Sequence, residues 1–143
     1  MASDGWTDAE RAAMKERAAE LRAEGGRGGA KRADALQSLL DKIEEMSGTD
    51  RVIAERLHAV VTEHAPALQP KTWYGMPAYA NAQGKVVVFF QPAEKFEARY
   101  ATIGFQDEAQ LDDGDMWPVT YAVVAWNDAV QAKVVELVEA AVG

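Results

Sequence analysis

Glu55 and His58 stand three residues apart in a run with helical spacing, so one side of a helix would carry a carboxylate and an imidazole together. Carboxylate-bridged di-iron centres use two such E-x-x-H pairs with further glutamates. This chain has one pair, and its other histidine, His64, lies six residues on and about a third of a turn out of line. The spacing favours a hydrogen-bonded or exposed His58 over a metal ligand. In "LDDGDMW", Asp112, Asp113 and Asp115 surround Gly114. Hard cations take oxygen ligands from such loops, but the D-x-D-x-D-G order and the glutamate at its twelfth place are missing. Weak attraction of divalent cations is the expectation there. Nucleophilic catalysis has little support: Ser3, Ser38 and Ser47 sit in no G-x-S-x-G, and both histidines share one helix. "GGRGGAKR" lacks the spacing and the hydroxyl residue of a phosphate loop, and it holds a single RGG where nucleic-acid tails repeat it. It reads as a linker. No catalytic residue is assigned.

A second constellation is aromatic. "KTWYGMPAYAN" places Trp73 and Tyr74 side by side ahead of Gly75, Met76 and Pro77. In one continuous strand these neighbouring rings would point to opposite faces. Alternation must also divide Tyr79, Phe89, Phe90, Tyr100, Tyr121, Trp117 and Trp126 between two faces of a sheet. Three helices cannot cover so many rings. The expectation is a ligand or partner surface made by Tyr74, Met76, Tyr79, Lys95, Arg99 and Trp117 on the face without helices or on the edge beside Gly75-Met76-Pro77. The competing expectation is that the N-terminal helix or a second copy of the chain covers the patch.

The elements that would position these groups follow from periodicity. Thr7 and Glu10 in "TDAE" form a capping box ahead of an alanine-rich helix over about 8–24, whose apolar stripe is thin. Residues 1–32 read as a loosely attached helical extension ending in a Gly-rich hinge. In "ADALQSLLDKIEEM", Leu36, Leu39, Leu40, Ile43 and Met46 fall on one helical face. Ser47, Thr49 and Asp50 are N-cap candidates for the next helix, about 50–65, with Ile53, Leu57, Val60, Val61 and His64 inward. The period then changes from 3.6 to 2. "TWY" and "PAYA" are strand pieces on either side of a bend at Gly75-Met76-Pro77. "KVVVFFQ", "ARYATIGF" and "WPVTYAVVAW" are strands, "NAQGK" is a hairpin turn, and Asn127 caps a last helix over about 128–141. The fold class is α+β: an antiparallel meander with helices on one face, as a domain over 33–143.

Composition narrows the partners. With 48% apolar residues the chain can build a core, and without cysteine it has neither disulfides nor thiolate sites, which suits a cytoplasmic protein. No stretch is long and apolar enough to span a membrane. The net charge is −8, and residues 106–143 hold eight acids against Lys133. Such a surface repels phosphate backbones, which argues against nucleic acid as a partner. An unknown protein, a small molecule or a second copy as a homodimer fits better.

"TWYGMPAYANAQGKVVVFF", followed by "EKFEARYATIGF" and the closing strand and helix, resembles the bacterial YdhG-like domains of the frataxin-like superfamily. "YGMPAY" is the most specific part, the likeness covers roughly 47–143, and residues 36–46 belong with it. The resemblance implies helices on one face of an antiparallel sheet. It also implies weak iron binding through acids on the first core helix, where this chain has Asp50, Glu55 and Glu63 among Arg51 and Arg56. The expected weak cation ligands are Glu55 and Glu63, as the resemblance implies, and Asp112, Asp113 and Asp115 of the acidic loop. The function expected is a non-catalytic binding module, with a small-molecule sensor or enzyme, or a structural homodimer, as alternatives.

Overall fold

A computed structural model describes residues 6–24 and 28–143. Helix α1 (Asp8–Glu24) starts at the capping box: the Thr7 hydroxyl accepts from the Glu10 N–H at 3.0 Å, and the Glu10 carboxylate accepts from the Thr7 N–H at 2.8 Å. Helix α2 (Gly28–Glu44) begins four residues before the expected end of the hinge at residue 32. Residues 25–27 of that hinge lie outside the described residues. Helix α3 (Gly48–His64) and helix α4 (Asp128–Ala141) flank the sheet in sequence. Asn127 caps α4 through a 2.9 Å bond from the Val130 N–H.

Five antiparallel strands run in chain order: β1 (Gln69–Trp73), β2 (Met76–Ala80), β3 (Val86–Gln91), β4 (Ala101–Phe105) and β5 (Thr120–Val123). The α+β meander is thus the observed fold. Gly84, at φ +81°, closes the β2–β3 hairpin. The last strand is only four residues long, and Trp117 and Pro118 precede it in an irregular segment.

Register assigns the side chains to faces. Tyr79, Val88 and Phe105 form one cross-strand row, and Phe90, Ile103 and Tyr121 another. Both rows belong to the core, which they share with Leu39 and Ile43 of α2, with Ile53, Leu57, Val60 and Val61 of α3, and with Val134, Leu137 and Val138 of α4. The periodicity of α2 is only partly used, since Leu36 and Leu40 remain exposed while Leu39 and Ile43 are buried. Helix α1 contributes nothing to this cluster.

The opposite sheet face carries the row Lys71, Ala78, Phe89 and Gly104. Phe89 packs edge-on against Trp73, with ring centroids 5.3 Å apart. Its ring also lies directly over Gly104, in the space a Cβ there would need. Gly104→Ala should therefore force the ring off its seat and cost about 1–3 kcal/mol, measured by urea unfolding. Gly104→Ala paired with Phe89→Leu should recover part of that loss.

Candidate functional site

The chain reverses direction between Trp73 and Met76, which pair directly across a two-residue turn. Both turn residues have positive φ, +54° at Tyr74 and +76° at Gly75. This is the geometry of the tight hairpin turn whose twist matches the strands. It settles the two rings of "TWY" differently from alternation within one strand. Trp73 ends β1 on the Phe89 face, while Tyr74 stands in the turn under the guanidinium of Arg17 from α1, 5.9 Å from its ring centre.

The turn is clasped by α1. The Glu20 carboxylate accepts from the Tyr74 N–H at 3.0 Å with one oxygen and from the Gly75 N–H at 2.9 Å with the other. Arg17 lies 3.3 Å from the same carboxylate. One turn earlier on α1, Glu16 bridges two cations, Lys95 at 2.7 Å and Lys42 at 2.5 Å. Lys95 also donates to the Gly75 carbonyl at 3.2 Å. These groups line a charged cleft of about 430 Å³ with Met46, Asp50 and Pro92. Asp50 is buried and is not an N-cap. Its two oxygens accept the Ala93 and Glu94 N–H groups at 3.0 Å each, which fixes the turn that carries Lys95.

Burial alone would raise the pKa of Glu16, but hydrogen bonds and charge from Lys95 and Lys42 overcome it and hold the carboxyl below its ordinary 4.5. Burial would likewise lower Lys42, and Glu16, helped by Glu45, instead raises it above 10.5. A depressed carboxyl stabilises above its unfolded pKa and loses that contribution as pH falls through the folded one. A raised lysine stabilises below its unfolded pKa and loses it as pH rises through the folded one. The clasp should hold between about pH 5 and pH 10 and loosen below about pH 4. The amide shift of Gly75, followed by NMR against pH, checks this.

On the helix-covered face lies a second, apolar cavity. Ala33 and Leu36 of α2, Val61 of α3, and Leu68 and Pro70 line an open groove of about 560 Å³, with Arg32 and Thr62 also in the wall. Its polar feature is the pair His58 and Tyr79, whose Nδ1 and hydroxyl oxygen are 2.9 Å apart. Burial pushes the Tyr79 hydroxyl up and the His58 imidazole down, so both are neutral at pH 7. A neutral imidazole can offer one nitrogen to Tyr79 and keep the other, as donor or acceptor, for a ligand.

The structure separates the expected aromatic surface. Tyr74 and Lys95 meet at the clasped turn, beside buried Met76. Tyr79 is corrected from surface to core. It is 1% exposed on the helix face, because the turn falls at Tyr74-Gly75 and strand β2 starts at Met76. Arg99 lies over the Tyr100 ring at 5.0 Å, and Trp117 stands half-buried ahead of β5; no ring contact joins either to Tyr74. Among the cation candidates, Glu55 pairs with Arg51 at 3.1 Å and Glu63 approaches His64 at 3.7 Å. Asp112, Asp113 and Asp115 are exposed in their loop. Among the described residues, no three His, Asp or Glu side chains converge to hold a metal ion. Ferrous iron and magnesium should accordingly shift the amides of Asp112, Asp113 and Asp115 weakly and alike in parallel NMR titrations; saturation by iron alone would reverse that expectation.

Sequence reasoning missed Glu16, Glu20, Lys42 and the His58–Tyr79 pair. The i, i+4 spacing of Glu16 and Glu20 was visible, but their partners lie 26 to 79 residues away. Comparison with protein-family models, with curated proteins and with solved structures returns no match. No helix among the described residues is long and apolar enough to cross a membrane.

Proposed function

We propose that the protein is a cytoplasmic, non-catalytic binding module that takes a small, largely apolar molecule into the cavity between α2, α3 and β1. The observation that carries this reading is an open, largely apolar groove of about 560 Å³ with the neutral hydrogen-bonded pair His58 and Tyr79 in its wall. That combination of apolar area and few polar groups is the usual make-up of a small-molecule site. Arg32 adds a positive charge to the wall, which favours a ligand with an acidic or otherwise hydrogen-bond-accepting end. The resemblance to YdhG-like domains remains part of the proposal, supported by the helices on one face of a meander sheet. The weak iron handling that the resemblance implies is a separate reading, tested by the parallel iron and magnesium titrations.

The test is an amide NMR titration with octanoate and with anilinonaphthalene sulfonate, two apolar anions. Saturable shifts at Leu36, His58, Val61 and Tyr79, abolished by the cavity-filling Ala33→Phe, are the expected result. Shifts scattered over the surface, or unchanged by Ala33→Phe, would sink the proposal.

A further inference from the structure

We infer that the β1–β2 turn, with Lys42 and Lys95, is a receptor for a helix that presents two carboxylates one turn apart, and that α1 occupies it as an internal ligand which a partner protein's acidic helix can replace. The receptor is built for carboxylates. Two adjacent N–H groups, from Tyr74 and Gly75, point at one carboxylate as a fork, and two lysines converge on another. The tight turn makes the fork, with φ +54° at Tyr74 and +76° at Gly75. Gly75 matters in a second way: a Cβ there would stand in the space of the Glu16 carboxylate and the Lys95 ammonium.

The occupant is replaceable because of what holds it. Helix α1 stays outside the hydrophobic cluster, and Met14 and Leu21 on it are exposed. Apart from buried Ala13, its attachment is charge-assisted hydrogen bonding, by side chains about a quarter exposed at the Glu16 bridge and less exposed at Glu20. Such contacts give geometric specificity more than strength, and salt screens them. Lys42 and Lys95 turn to the α1 carboxylate at 2.5 and 2.7 Å although Glu45 and Glu94 stand in the same cleft, Glu45 only 3.5 Å from Lys42. The partner that fits is therefore a helix carrying Glu-x-x-x-Glu, as α1 does in Glu16 and Glu20.

The experiment keeps the full chain and uses as the probe a fluorescent peptide of residues 6–24, which gains helix as it binds, read by circular dichroism alongside. Glu16→Gln with Glu20→Gln in the full chain weakens the internal ligand while leaving the receptor and the hydrophobic core untouched. Peptide anisotropy should then report binding about tenfold tighter, or more, than to the unaltered chain, because the fraction of open receptor has risen. The Tyr74 and Gly75 amide signals should return toward their positions in the unaltered chain as the peptide saturates. A peptide carrying both glutamines should not bind. Failure of the wild-type peptide to bind the doubly substituted chain overturns the inference, as does equal binding of the glutamine peptide.

Discussion

Tyr79→Ala should remove about 3–5 kcal/mol of folding stability, seen as a lower urea midpoint with little change in slope. Tyr79 is 1% exposed and sits in the row with Val88 and Phe105 under α3. Truncation leaves a cavity that a packed sheet cannot close. A small domain has about 5–15 kcal/mol in hand, so the variant would be close to unfolding. Tyr79→Phe isolates the hydroxyl. It should cost about 1–2 kcal/mol, because the half-buried His58 Nδ1 loses its partner. The pH profile gives a second reading of the same pair. Burial holds His58 below its ordinary 6.5, so the unfolded chain binds a proton more readily than the folded one. Stability should therefore be full above about pH 7 and decline as pH falls through 6.5. An unchanged midpoint in Tyr79→Ala, together with altered self-association, would instead place Tyr79 on a surface between copies.

Gly75→Ala should loosen α1 while sparing the core. The backbone there has φ +76°, where a side chain costs about 1–2 kcal/mol. The new methyl would meet the ends of the Glu16 and Lys95 side chains. Those ends are flexible and can swing away, so sterics do not block folding. What is lost is the Glu16–Lys95 pair and with it the purchase of α1 on the turn. An isolated helix of 17 residues is marginal in water, and an undocked α1 should fray. Helical content by circular dichroism should fall, and proteolysis should cut within residues 8–24 before the rest of the chain. Equal protease resistance of both proteins would show that the clasp does not hold α1.

The helices and the meander were legible because their signals are local. The Thr7–Glu10 box, the Asn127 cap, the Val134/Leu137/Val138/Ala141 stripe and the Gly84 turn each lie within a few residues of what they specify. The turn at Tyr74-Gly75 was not. Gly75 and Pro77 mark a bend between "TWY" and "PAYA", but tyrosine seldom takes a positive φ, so nothing local places Tyr74 inside the turn. What sustains it is Glu20, 54 residues earlier in the chain. The expectation of Tyr79 on the surface rests on there being too many rings for the helices to cover, whereas the core takes Tyr79 and Phe90 and leaves Trp73 and Phe89 on the other face. His58 shows the opposite case. Its reading as a hydrogen-bonded side chain agrees with the 2.9 Å contact, although the partner, Tyr79, could not be named from spacing alone.

The strand order has a consequence for behaviour at high concentration. The two outer strands, β1 and β5, present the sheet's unpaired backbone, and each is poorly suited to growth by addition of another strand. Pro70 removes an N–H from β1, and β5 ends after four residues. A fibril would need long, regular borders along which chains could stack, and this sheet is frayed at both. Exposed Val119 and Val124 therefore flank a border too short to template cross-β stacking, so crowding should lead to reversible association before amyloid.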